Sequence, residues 1–145
     1  LESTVEEWFK PAAYALILLR QEGLPCVFYG DYYGISGQYA QEDFKEVLDN
    51  LLTIRKDLAY GEQTDYFDDP NCIGWVRSGT DNQSPLAVLI SNSQENNKTM
   101  FVSPEWADHT FVDLLGNHSD QVTINAEGYG DFPVAERSLS VWGTC

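Results

Sequence analysis

Positive charge is scarce in this chain: eight Lys and Arg stand against 23 Asp and Glu, for a formal net charge of −15 at pH 7. Nucleic acid and anionic membranes would be repelled by such a surface, so neither is expected as a partner. A neutral polysaccharide would not be repelled, although acidity can also serve solubility alone. Cysteine is sparse and odd in number. Cys26, Cys72 and Cys145 are scattered, without metal-ligand spacing and unable to form a complete disulfide framework. Cys26 lies in an apolar run, where a buried, reduced thiol is expected, and this favours a reducing compartment. The two histidines, His109 and His118, have no Ser, Cys or second His beside them, which points to turn or strand-edge roles. There is no Gly-rich phosphate loop, HExxH, GxSxG or EF-hand pattern. No apolar stretch is long and uncharged enough to span a bilayer, and no signal peptide opens the chain. The chain begins at Leu1 rather than Met, so it is expected to start in mid-sequence, and the missing leader says nothing about export.

What the chain has in quantity is apolar and aromatic residues, with seven Phe, eight Tyr and four Trp in 145 residues. That argues against disorder, and a chain of this length can bury about 70% of its unfolded surface. Ser3 with Glu6, or Thr4 with Glu7, offers a capping box ahead of an expected helix. From Trp8 to Leu19 nearly every position is apolar apart from Lys10, so the helix is expected to be buried on several sides, with nothing else in the chain obviously available to cover it. Pro11 should kink or restart it, and Gly23 ends it. Next comes Gly23-Leu24-Pro25-Cys26-Val27-Phe28-Tyr29-Gly30-Asp31-Tyr32-Tyr33-Gly34. Residues 24–29 of this stretch read as a fully buried parallel strand feeding a polar, aromatic loop over residues 31–41. Phe44, Val47, Leu48, Leu51, Leu52 and Leu58 then share one face of a second helix. Glu42 and Asp43 lie at its start, and Arg55 and Lys56 at its end.

Character changes near Tyr60-Gly61. Short strands are predicted over residues 63–67, 72–77, 86–90, 99–102, 110–114, 121–124, 129–134 and 139–142, divided by Asp-, Asn- and Gly-rich turns. Eight strands at such spacing predict an antiparallel sandwich or Greek-key barrel. Residues 1–60 therefore read as part of an α/β unit and residues 61–145 as an all-β domain.

Asp31 has two readings: a site contact at the C-terminal end of a strand, where α/β barrels build their chemistry, or a turn residue after Gly30. Tyr32, Tyr33 and Tyr39 could stack on a sugar ring or pack the loop. Asp68-Asp69-Pro70-Asn71 offers oxygen donors of the kind calcium takes, or a solvated acidic turn. Trp75, Trp106, Tyr129 and Trp142 could line a sugar-binding face or fill a core. Asn82, Asn97 and Asn117 open glycosylation-type triplets, which arise by chance in an Asn-rich chain.

Several segments carry a family resemblance: Leu1-Glu2-Ser3-Thr4, Trp8-Phe9-Lys10-Pro11, Ala13-Tyr14-Ala15, Val27-Phe28-Tyr29-Gly30-Asp31, Ala59-Tyr60-Gly61, Asp65-Tyr66-Phe67-Asp68, Ile73-Gly74-Trp75 and Asn125-Ala126-Glu127-Gly128-Tyr129-Gly130. In order and over essentially the whole chain, with a short deletion around Tyr39, they resemble the C-terminal third of α-amylases of the liquefying bacterial type. The resemblance implies the last helix–strand–helix part of a (β/α)₈ TIM barrel followed by an antiparallel Greek-key β-sandwich C-terminal domain. It implies endo-hydrolysis of α-1,4 bonds in starch, glycogen or maltodextrin with retention, by two carboxylates and a third in a His-Asp pair. All three lie upstream of Leu1 in the family pattern, so this chain is expected to carry no catalytic residue of its own and to lack the rest of the barrel. On the same resemblance Asp31, Tyr32 and Tyr33 would contact substrate. A calcium between barrel and C-terminal domain would be held at the positions of Pro70, Asn71 and Asn92; both acids are Asn here, which puts the ion in doubt. A non-catalytic carbohydrate-binding or structural β-module is the alternative. Residues 4–30, without the remaining barrel strands, are expected to aggregate or dock on other chains.

Overall fold

A computed structural model describes residues 5–144 of the chain. The capping box expected at Ser3 and Thr4 lies outside the described residues. A 3-10 turn, Glu7–Phe9, leads into helix α1, Lys10–Leu18. Of the two expectations for Pro11, the second holds: it does not kink the helix, and the α-helix starts around it after the 3-10 turn. Pro11 sits in the first turn, where its missing N–H would have had no intrahelical partner. Helix α2, Tyr29–Tyr33, and helix α3, Lys45–Leu58, follow. On α3 the buried residues are Leu48, Leu51 and Ile54, whereas Leu52 is exposed. Leu52 lies roughly 100° round the helix from the centre of that face, which Ile54 completes.

Eight strands make up the rest: β1 Gln63–Asp69, β2 Cys72–Arg77, β3 Leu86–Ser91, β4 Asn96–Phe101, β5 Thr110–Asp113, β6 Gln121–Thr123, β7 Tyr129–Val134 and β8 Leu139–Thr144. Each of the eight predicted strands is present, with ends shifted by at most a few residues. One antiparallel sheet runs β1-β2-β3-β8-β5-β6, and β4 pairs with β7 in a second sheet. Side chains alternate across the large sheet. Trp75, Leu86, Val88, Ile90, Leu139 and Val141 point to one face, while Val76, Ala87, Leu89 and Trp142 point to the other. The second face packs on Met100, Phe132 and Val134 of the β4–β7 pair.

The first face is what covers the apolar helix. Tyr14, Ala15, Leu18 and Leu19 share a core with Leu48, Leu51 and Ile54 of α3 and with the large sheet. The helix therefore does find its cover within this chain, contrary to expectation. The end of α1 is also fastened polar group to polar group: the Leu19 carbonyl accepts hydrogen bonds from Trp75 Nε1 and Arg77 Nη1, both at 3.3 Å, and the Leu18 carbonyl accepts from Arg55. Two guanidinium groups thus meet the C-terminal carbonyls of the helix, where its dipole is negative.

Residues 24–29 form no strand. Residues 24–28 have no regular structure, Tyr29 begins α2, and Leu24, Cys26, Phe28 and Tyr29 are exposed. A strand exists only as one partner of a ladder, and among the described residues no strand lies beside this run. Cys26 is accordingly exposed, not buried, whereas Cys72 is the fully buried thiol. The barrel part of the expected architecture is not seen: the described residues form an antiparallel β-structure preceded by three helices.

Candidate functional site

The segment from Phe28 to Phe44 is an aromatic loop held from beneath. α2 is a single turn, capped by Gly34 at φ 78°, a conformation that favours glycine. Beyond it Ile35 and Gln41 pair backbone to backbone at 3.0 and 2.8 Å, pinching residues 36–40 into a tip. Asp31 anchors the whole segment. It is only 8% exposed; its Oδ2 accepts from the Tyr14 hydroxyl at 2.5 Å, and its Oδ1 accepts from Lys10 Nζ at 2.8 Å and Gln41 Nε2 at 2.6 Å. Its backbone carbonyl accepts from Phe44 N–H at 2.7 Å. The Tyr14 hydroxyl in turn accepts from Phe28 N–H at 3.2 Å. One residue therefore ties α1 and the loop through its carboxylate and the entrance of α3 through its backbone carbonyl.

Burial opposes the charge on Asp31, but the hydrogen bonds from Lys10, Tyr14 and Gln41 outweigh it and hold the carboxyl below the usual aspartate range. Burial, then the bond to Asp31, raise Tyr14. A depressed folded-state pKa means stabilisation that is present above the unfolded value and lost as pH falls through the folded one. The stability gap between the parent chain and Asp31→Asn, read from urea unfolding, should thus stay constant above about pH 5 and shrink below about pH 4. A gap that does not narrow in acid would show that the ionised form is not what the network favours.

Above this anchor the rings face outward. Tyr29 and Tyr33 are 73% and 60% exposed, with centroids 4.7 Å apart. Tyr39 is exposed at the tip. Tyr32 turns the other way, half-buried, its hydroxyl donating to Asp49 at 2.5 Å with Lys45 over its ring. A shallow groove of about 560 Å³ runs beside Tyr33, Ile35, Gln41 and Asp43. Of the three residues singled out here, Asp31 lies beneath this surface with both oxygens engaged, Tyr32 is at its side, and Tyr33 is on it. The arrangement can present flat apolar rings with polar rims, but Asp31 has no reach to a ligand. Lys10, Tyr14 and Gln41 complete the Asp31 network and are not among the residues that the sequence points to as a site. The available signal was Lys10 itself, a single charge in an otherwise apolar helix.

Pro70, Asn71 and Asn92 do meet, at the β1–β2 corner. There the Asn92 N–H donates to the Asn71 carbonyl at 3.1 Å, and the Asn71 N–H to Asp69 Oδ1 at 2.8 Å. Asp68 accepts from Lys98 at 2.8 Å, and that ammonium holds its carboxyl below the usual range. Two of the three expected donors are neutral amides, and the Lys98 ammonium already neutralises the neighbouring Asp68; this set does not fit a tight calcium site, whose affinity depends on ligand charge. No group of three or more His, Cys, Asp or Glu side chains able to hold a metal occurs among the described residues. No helix of the described residues is long and apolar enough to cross a membrane. Trp75 and Trp142 are core residues, whereas Trp106 is half-buried and Tyr129 exposed.

Against known proteins, residues 86–143 match the family model described as "Alpha-amylase C-terminal". The chain is 52% identical to the α-amylase of Geobacillus stearothermophilus over 144 residues, 98% of this chain and 26% of that protein. It is 46% identical to the glucan 1,4-alpha-maltohexaosidase of Bacillus sp. (strain 707), covering 98% of this chain and 28% of that protein. The chain therefore spans about a quarter of the length of the curated relatives it matches. The crystal structure of the Gamma-CGTASE of alkalophilic Bacillus clarkii shares the fold at a TM-score of 0.66 and 18% identity, over 95% of this chain and 23% of that one. By sequence identity along nearly its whole length and by the matched β-domain, the chain corresponds to the C-terminal region of the bacterial α-amylase family.

Proposed function

We propose that this chain is the C-terminal part of an α-amylase that cleaves internal α-1,4 bonds of starch-type glucans with retention, and that it supplies structure and substrate contact, not the reacting carboxylates. Residues up to about 60 belong, in this reading, to the end of the barrel, and residues from about 61 form the domain that braces it. The observation that carries the reading is the exposed apolar and aromatic edge formed by Leu24, Phe28, Tyr29 and Tyr33, fixed in place by buried Asp31. An edge so ordered from beneath and so bare on top suits a large body seated against it. In that body Tyr33 lines the sugar cleft, and Asp31 positions the loop that carries it. The Pro70, Asn71 and Asn92 corner contributes little to calcium binding, because it offers amides where charge is needed.

The test has two arms. The purified chain should release no reducing sugar from soluble starch above background. Co-expressed with the part of the Geobacillus stearothermophilus α-amylase that precedes the matched region, it should restore hydrolysis. Amylolysis by the chain alone would overturn the assignment of roles.

A second reading, a carbohydrate-binding β-module, is favoured by one feature: the aromatic residues of the β-domain that the core leaves outside, Phe101, Trp106 and Tyr129.

A further inference from the structure

The β-domain has a groove of its own, on elements distinct from the Phe28–Phe44 loop. About 650 Å³ in volume, it runs between the turn at residues 78–81 and the segment 101–109. Its walls are aromatic. Phe101, on β4, is half-exposed and packs edge-on against its cross-strand partner Tyr129 at 5.2 Å. Trp106 stands edge-on to His109 at 5.0 Å and to Phe111 at 6.4 Å. Phe111 is fully buried, so the indole has a rigid back support and an exposed flank. Asp81 and Glu105 bring exposed carboxylates to the same groove.

The segment that presents Trp106 is held in a strained form. Three non-glycine residues among those described have positive φ, and two of them, Ser103 at 151° and Asp108 at 64°, bracket the 3-10 turn Pro104–Trp106. Ser103 in particular occupies a region almost reserved for glycine, which is unfavourable for other residues and persists only when its surroundings impose it. They do: the N–H groups of Val102 and Ser103 both donate to the Gly128 carbonyl, at 2.8 and 3.3 Å. A Cβ on Gly128, itself at φ 92°, would lie 2.4 Å from the Ser103 carbonyl carbon. The fold thus maintains an unfavourable backbone whose effect is to stand one indole beside a groove.

We infer that this groove is a second glucan-binding site, taking a short stretch of α-1,4-linked glucose chain with Trp106 and Phe101 as stacking surfaces and Asp81 and Glu105 as hydroxyl acceptors. The chemistry is that of a neutral polyhydroxylated ligand. Rings supply flat apolar contact for the C–H face of a sugar, and carboxylates take its hydroxyl protons. An anion would meet two carboxylates on a chain of net charge −15. An apolar peptide could offer the two carboxylates only its backbone N–H groups, whereas a glucose chain carries several hydroxyl donors on each ring. The choice of α-glucan rests on the proposed amylase reading; the position of the groove does not.

The experiment is an NMR titration of the isotopically labelled full chain with maltoheptaose, and with cellohexaose as the counter-ligand. The Trp106 indole N–H and the His109 signals should move saturably with maltoheptaose and stay still with cellohexaose. Trp106→Ala should weaken binding about tenfold or more, as removal of a stacking anchor does, while the buried indole signals of Trp75 and Trp142 report an intact fold. Glu105→Gln, an isosteric exposed change, should weaken it less. No response at Trp106, with movement at Tyr29 and Tyr33 instead, would overturn the groove and leave the α-glucan reading standing. Equal response to both sugars would overturn the α-glucan assignment here. No response anywhere would overturn the site, and the co-expression test then decides the amylase reading separately.

Discussion

Trp75→Ala is expected to remove about 3–5 kcal/mol of folding stability, a large share of the roughly 5–15 kcal/mol that such domains possess. Trp75 is completely buried on β2, between Asp65 of β1 and Val88 of β3 in register. Its ring faces the core shared by the helices and the large sheet, and its Nε1 donates to the Leu19 carbonyl at the end of α1. Alanine would leave a cavity at the point where three elements meet and would remove one of the two donors that Leu19 accepts from; Arg77 would remain. The consequence should be cooperative: helical and β signals in circular dichroism should melt together in urea, at a lower midpoint than in the parent chain. Trp75→Phe, which keeps most of the ring but loses the N–H, should cost about half as much or less. If Trp75→Ala melts the helices alone and leaves the β signal at its original midpoint, the helices are seated on the sheet without being part of its cooperative unit.

Asp113→Ala should have the second-largest effect, about 3 kcal/mol, for an unrelated reason. Asp113 closes β5 and is only 8% exposed. Its Oδ1 accepts the N–H groups of Leu115 at 3.1 Å and Val141 at 2.9 Å, and its Oδ2 those of Asn117 at 2.9 Å and His118 at 3.0 Å. One side chain therefore satisfies four backbone donors, three in the turn after β5 and one on β8. Losing such an acceptor costs about 1–3 kcal/mol for each donor left dry, and water will reach those in the open turn. Asp113→Asn keeps the shape but offers one oxygen to four donors, so about half of the loss should remain. Hydrogen exchange locates the effect: the amides of Leu115, Asn117, His118 and Val141 should all exchange faster in Asp113→Ala. Unchanged exchange at those four would refute the role assigned to the carboxylate.

The signal for Asp113 was present in the chain. Thr110 to Asp113 alternates, with Phe111 and Asp113 on the same side. A carboxylate two residues from a core phenylalanine is expected inside, and inside it must find donors. Asp31 gave a weaker signal, since nothing local says which groups surround it. Lys10 and Tyr14 lie 21 and 17 residues away, and they reach it only because α1 packs on the loop. For the same reason the division of the aromatics was not legible. Trp75 and Trp142 lie on opposite faces of the large sheet, each face with its own cover, whereas Trp106 stands on a 3-10 turn outside the strands and is only partly covered.

Two apolar runs show where local sequence stops being sufficient. Leu86-Ala87-Val88-Leu89-Ile90-Ser91 and Leu24-Pro25-Cys26-Val27-Phe28-Tyr29 are of equal length and similar composition, and each reads as a strand buried on both faces. The first is one. It lies between β2 and β8, with helices on one side and the β4–β7 pair on the other. The second has no neighbouring strand among the described residues and carries its side chains largely exposed. Turn residues, alternation and the face of α3 are properties of a few adjacent residues, and they placed eight strands and two of the helices before any packing was known. A fully buried strand is different, because its hydrogen bonds and its cover both come from elsewhere. Which run became a strand, and whether Asp31 would anchor a loop or face a ligand, was set by what folding brought beside each of them.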